Sequence, residues 1–185
     1  VFIEQEECKA HTVAWELMGV AQRLADQVRE EAAQVRDKVL VEAVLVGHDV
    51  KHIAEEGLKY GADHVYVADS EIFEHYRNKA YCTALTHLVK KYQPEVFLIG
   101  ATTLGRDLAG AVATTLGTGL TADCTELRID DETRSLAATR PTFGGTLLCT
   151  IHTLEYRPQM ATVRPRVMAM PKRDGQRSGT LVEER

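Results

Sequence analysis

The sequence predicts an α/β fold, a doubly wound parallel sheet with a β-rich carboxyl-terminal extension. Three observations carry that expectation. Apolar runs of strand length alternate with helix-period stripes as far as Gly117. Residues 39–47 (VLVEAVLVG) are nearly continuous in aliphatic side chains, as a strand buried on both faces requires. Beyond Gly119 the helical period disappears, and short strand-like runs follow one another between turn signals.

The elements follow in order. Residues 1–3 read as a truncated strand. Val13, Leu17, Val20, Leu24 and Val28 recur three and four apart and mark an amphipathic helix over 12–36, with Thr12 as its N-cap. After the 39–47 strand, Asp49 or a neighbour opens a second helix that ends near Gly61, and residues 64–68 (HVYVA) form the next strand. Tyr81, Leu85, Leu88 and Tyr92 stripe a third helix, closed by Pro94. Residues 96–100 (VFLIG) make a fourth strand, and a helix carrying Leu108, Val112 and Leu116 follows. The extension reads as strands at 127–130, 136–140, 147–153 and 160–163, with turns at Asp130-Asp131 and Gly144-Gly145.

A chain of 185 residues suits one such domain with a real core. It has no run of about 18 apolar residues and no charged-then-apolar leader, so neither a membrane span nor a signal peptide is expected. A soluble, cytoplasmic protein is expected, in the mitochondrial matrix if eukaryotic. Cys8, Cys82, Cys124 and Cys149 are widely spaced and form no C-x-x-C pair, which argues for reduced thiols over a zinc, iron–sulfur or dithiol site. The chain opens on Val1 inside an apparent strand, so sequence upstream is expected. Residues 171–185 collect Gly, Ser and charge and read as a linker to a further domain.

Charge is unevenly placed. The chain carries −5, yet residues 139–173 hold Arg140, Arg157, Arg164, Arg166, Lys172 and Arg173 against Glu155 alone, a local +5. A basic segment in an acidic chain suits a specific anionic or planar ligand better than a polyanion surface, so no nucleic-acid partner is expected. The alternative is a solvated edge strand with charged gatekeepers.

Within TRPTFGG, Pro141 fixes the backbone after Arg140 while Gly144 and Gly145 allow close approach, a frame suited to a guanidinium that binds phosphate or a planar heteroaromatic. Arg164 also precedes a proline. Thr121, Asp123 and Thr125 alternate, and on a strand they would line one face; an N-cap or turn network is the other reading. The segment GATTLGRDLAG has the glycine gap of a phosphate loop at Gly100 and Gly105, followed by Arg106 and Asp107 where Lys and Ser or Thr are needed. A tight turn with Arg106 and Asp107 pairing or capping competes with ligand binding there. His48 and His52 share a helical spacing but lack the Glu of a zinc motif, and no nucleophile elbow or triad spacing is present.

Taken together, GATTLGRDLAG, GLTADCTELRID, TRPTFGG and RPQMATVRP resemble domain I of the electron transfer flavoprotein α subunit, the family that includes the FixB proteins. The resemblance runs over residues 1–170, with 171–185 in the place of the linker to a carboxyl-terminal FAD domain that this sequence does not contain. It implies an adenine-nucleotide alpha-hydrolase-like fold, a β-subunit partner, FAD, and electron carriage between a dehydrogenase and an acceptor, including the bifurcating form that couples NADH to ferredoxin. No direct membrane insertion and no independent catalysis are implied. Within that frame Arg140 and Arg164 are the candidates for an interface flavin, followed by Thr121 and Arg106. Arg166 stands where the family pattern usually has glycine. The competing reading is a nucleotide-binding regulatory module of the universal-stress type, using the turn at 100–110 for ATP.

Overall fold

The computed structural model describes residues 1–31 and 39–184. Its parallel strands are β1 (Phe2–Ile3), β4 (Glu42–Gly47), β5 (His64–Asp69), β6 (Val96–Gly100), β7 (Leu120–Cys124), β11 (Gln159–Val163) and β12 (Thr180–Glu184). They form two hydrogen-bonded groups, ordered β1-β4-β5-β12 and β6-β11-β7, which meet where β1 packs on β6. From that line β4 and β5 follow outward on one side, and on the other β6 leads to β7 with β11 inserted between them. The line is therefore the topological switch point of a doubly wound sheet.

Helices cover both faces. Residues of α1 (Thr12–Glu31) and α2 (Lys51–Lys59), including Trp15, Met18 and Ile53, pack on Ile3, Ala43, Leu45, Val65 and Val67. On the other face α3 (Asn78–Tyr92) and α4 (Thr103–Leu116) bring Leu85, Leu88, Leu108 and Val112 against Val44, Val46, Phe97 and Ile99. Successive residues of β4 thus enter different cores, which is why its sequence is continuously apolar. A third core joins Val13, Leu17, Val20 and Leu24 of α1 to Leu127, Ile129 and Leu136 of a three-stranded antiparallel sheet. That sheet comprises β8 (Glu126–Ile129), β9 (Leu136–Thr142) and β10 (Leu147–His152). The β2 (Gln5–Glu6) and β3 (Lys9–Ala10) ribbon bridges β1 to α1.

Several expectations change. Thr12 is the first helical residue, and the His11 ring accepts the Val13 N–H at 3.2 Å in the role expected of Thr12. The expected stretch of this helix beyond Glu31 lies outside the described residues. The 39–47 strand shortens to Glu42, because the Val41 N–H is taken by the Asp63 carboxylate at 2.9 Å. The second helix begins at Lys51, since Asp69 accepts the N–H groups of Asp49 and Val50 at 2.9 and 3.0 Å and caps it from β5.

Two larger corrections concern the carboxyl-terminal third. β11 does not belong to the extension; it is the buried centre of the parallel group, between β6 and β7. Residues 171–185, expected as a linker, contain β12, paired in parallel with β5 from His64 to Ala68. Lys51–Glu183 at 3.2 Å and Lys91–Glu184 at 2.8 Å neutralise the charges that make the segment look solvated.

Candidate functional site

The basic run divides because β11 passes through the sheet. Arg157 pairs with Glu95 at 2.7 Å, beside the amino ends of β6 and β11. Arg164 leaves the carboxyl end of β11, about 20 Å away by strand rise. At that end, where open α/β sheets bind ligands, Arg164 meets two other cations around one carboxylate. The expectation of a single basic patch is replaced by this smaller cluster.

Asp123 is its centre. Arg164 donates from Nε and Nη2 to the two Asp123 oxygens at 3.1 and 2.7 Å, a bidentate pair. Arg106, in the first turns of α4, places Nη2 3.6 Å from Asp123 Oδ1. Arg140 on β9 is close enough for its charge to act on Asp123 and Cys124. The bonds from Arg164, with the fields of Arg106 and Arg140, hold the Asp123 carboxyl below its ordinary value. Two guanidiniums thus meet one carboxylate, and the charge of a third acts on it. Arg164 and Arg106 keep 44% and 60% of their side chains exposed, leaving donor groups open to a ligand. Arg140 Nε is buried without an acceptor, the one such side-chain atom among the described residues.

Backbone geometry fixes this cluster. The register between β7 and β11 shifts from Thr121↔Ala161 to Cys124↔Val163, a bulge that inserts one residue into β7. Asp123 sits in the bulge at φ 63° and donates its N–H to Thr162 Oγ1 at 2.8 Å. The Arg164 N–H reaches the Cys124 carbonyl at 3.0 Å, locking the arginine beside the bulge. Pro141, after Arg140, falls where β8 has ended, so its missing donor disturbs no pairing on that side.

The bulge also corrects the alternation reading. An inserted residue reverses the side-chain order, so Thr121, Asp123 and Thr125 do not line one face. Thr121 is buried, and among the described residues no hydrogen bond joins its hydroxyl to the arginines. The cluster therefore holds Arg106, Arg140 and Arg164 of the four candidates. Asp123 was visible only as a polar residue in an assumed strand. Burial raises the Cys124 thiol to about 12, which makes it a packed thiol and no nucleophile.

The glycine turn is self-satisfied. A Cβ on Gly105 would lie 1.9 Å from the Gly100 carbonyl oxygen, so glycine is required for the close turn. Thr102 accepts the Gly105 N–H at 2.9 Å and donates its hydroxyl to buried Glu4 at 2.6 Å. Burial raises the Glu4 carboxyl above its ordinary value. Asp107 accepts from Tyr76 at 2.5 Å and Asn78 at 2.8 Å. Two carboxyl groups at the switch point and the first turn of α4 oppose a phosphate there, which weighs against the ATP-binding alternative. His48 and His52 do not converge: His52 meets the Cys8 carbonyl at 2.9 Å, while His48 lies near Asp49 and Asp69.

Comparison with known proteins gives the family. The family described as the electron transfer flavoprotein domain matches residues 1–185. The chain belongs to the electron transfer flavoprotein family. Within it, the chain is 57% identical to Protein FixB of Azorhizobium caulinodans, over 98% of this chain and 47% of that protein. It is 52% identical to Protein FixB of Azotobacter vinelandii, covering 99% of this chain and 49% of the relative. The electron transfer flavoprotein subunit alpha of Thermoanaerobacterium thermosaccharolyticum is 45% identical, with 99% and 52% covered. The chain spans about half the length of these curated relatives. The α/β fold expected for such a domain is the one found, and no helix among the described residues is long and apolar enough to cross a membrane.

Proposed function

We propose that this chain is the partner-binding, flavin-facing portion of an electron transfer flavoprotein α subunit, which pairs with a β subunit and carries electrons from a dehydrogenase to an acceptor through FAD. The observation that carries this reading is the meeting of Arg106 and Arg164 at Asp123, within the field of Arg140, whose Nε is buried and lacks an acceptor. An excess of fixed positive charge and an orphaned donor fit the carbonyl and ring-nitrogen edge of a flavin, which gains negative charge on reduction. Bound flavin supplies the redox chemistry; these residues orient it and stabilise its reduced form. A guanidinium about 10 Å from such a charge contributes about 1.7 kcal/mol at an effective dielectric of about 20.

The same site serves either a simple carrier or a complex that bifurcates electrons between NADH and ferredoxin, the two differing in flavin potentials. Four free thiols, two of them exposed, suit the reducing cytoplasm. The test is spectroscopic redox titration of the full-length α subunit assembled with its β partner. Arg140→Ala and Arg164→Ala should each lower the midpoint potential of one flavin by about 30 mV or more, a tenfold loss of preference for the reduced form. Unchanged potentials in both variants, with flavin still bound, would falsify the placement of flavin at this cluster.

A further inference from the structure

We propose that Asp123 is a potential-tuning residue: a fixed counter-ion that neutralises part of the arginine cluster and so limits how strongly the site favours an anionic, reduced flavin. The inference rests on the flavin reading above and extends it from the cations to the group that opposes them.

Asp123 differs from an incidental surface partner in how it is held. The bulge places it at φ 63°, its N–H is committed to Thr162 Oγ1 at 2.8 Å, and both oxygens engage Arg164. Its backbone is thus fixed independently of the arginines. Arg164 is fixed in turn through its own N–H on the Cys124 carbonyl at 3.0 Å. Both backbones are thus held in place, and the bidentate pair joins the two side chains. The carboxylate therefore remains within the field of any anion that Arg164, Arg106 or Arg140 binds, and acts against it. A site built only to maximise anion affinity would omit this charge. Its presence points to a set potential in place of a maximal one.

The bidentate pair also has a positioning effect. It occupies the inner edge of the Arg164 guanidinium and leaves the outer N–H groups as the donors presented outward. Removing the carboxylate should both raise the net charge and free that edge.

Asp123→Asn tests this in the intact α–β complex with flavin bound. Asparagine tolerates the left-handed backbone and keeps the size of the side chain, so charge is the main change. The preference for the reduced flavin should rise about tenfold, an increase of ~30 mV for a two-electron couple. Asp123→Gly, also suited to φ 63°, should shift the potential in the same direction and covers the case in which the asparagine variant assembles poorly. Arg140→Gln is the control and should shift it down. If Arg140→Gln lowers the potential while both Asp123 variants leave it unchanged or lower it, the counter-ion role is wrong and the flavin reading stands. If no variant moves any potential, the flavin is not at this cluster and both readings fail.

Discussion

Glu16 is a carboxylate only 5% exposed, and its two oxygens accept the Arg166 N–H at 3.1 and 2.9 Å. A longer bond from the Met168 N–H reaches the same group at 3.4 Å. This side chain of α1 holds the backbone where it leaves β11, two residues beyond Arg164. Arg166 has φ 64°, a left-handed conformation that glycine adopts without penalty. Glu16→Ala leaves N–H groups without their acceptor and should cost about 2 kcal/mol in urea unfolding. Arg166→Gly should change stability by less than about 1 kcal/mol in the same assay, because relief of the left-handed strain offsets the added freedom of the unfolded chain. Equal losses in the two variants would contradict this account. The proline neighbours made Arg140 and Arg164 legible in the sequence, since they mark rigid backbone beside a cation. Asp123 as the hub was not legible, because the bulge that aims it arises from register against β11, a strand almost 40 residues later.

At the scale of elements, the helices and longer strands up to Leu116 were readable because each carries its own period, whereas the two-residue β2 and β3 carry none and were not read. β11 and β12 are short, and only long-range pairing tells a sheet-centre strand from an extension, or a strand from a linker. β12 is tied down by charges that look like solvated polarity in one dimension. Before it, Arg173 pairs with Glu56 through Nε at 2.7 Å and Nη2 at 2.8 Å, and Arg177 reaches Asp63 at 3.1 Å. Arg173 first, with Lys59 adding to it, pulls the Glu56 carboxyl from 4.5 down to about 2. A folded-state value below the unfolded one gives stability that is complete above about pH 4.5 and is lost as pH falls towards about 2. Glu184 is lowered in the same sense by Lys91 and Tyr92. Acid should therefore loosen the segment leading into β12 and the strand itself. Hydrogen exchange of the 180–184 amides should accelerate relative to β4 across that window, and Glu56→Gln should show the loosened behaviour already at neutral pH. Equal protection of β12 and β4 throughout the window would contradict the ion-pair account.

At the scale of the whole molecule, the β9–β10 hairpin is the feature that the isolated chain leaves unsatisfied. Phe143 at its tip is 83% exposed, and along β10 Leu147, Leu148 and Ile151 are 57%, 70% and 38% exposed. β10 is also an outer strand of its sheet, in the order β10-β9-β8, so its far backbone edge has no strand partner among the described residues. An apolar outer strand is a surface that invites pairing with another chain, and soluble proteins seldom leave one uncovered. Arg140 lies on the neighbouring strand, opposite Cys149 of β10. A partner covering the hairpin would consequently close over the arginine cluster and exclude water from it, strengthening each guanidinium's effect on a bound anion. On the proposed function, one hairpin would then link assembly to electron transfer. Leu148→Asp and Phe143→Ser should weaken binding to the β subunit by about 30-fold, as loss of a central interface anchor of about 2 kcal/mol does. Both side chains are exposed in the isolated chain, so its thermal unfolding should change little. Sedimentation of the α–β mixture and calorimetric titration would measure the two effects separately. Full-affinity assembly of both variants would remove the hairpin from the interface, and with it the reason to expect the arginine cluster to be shielded from solvent in the complex.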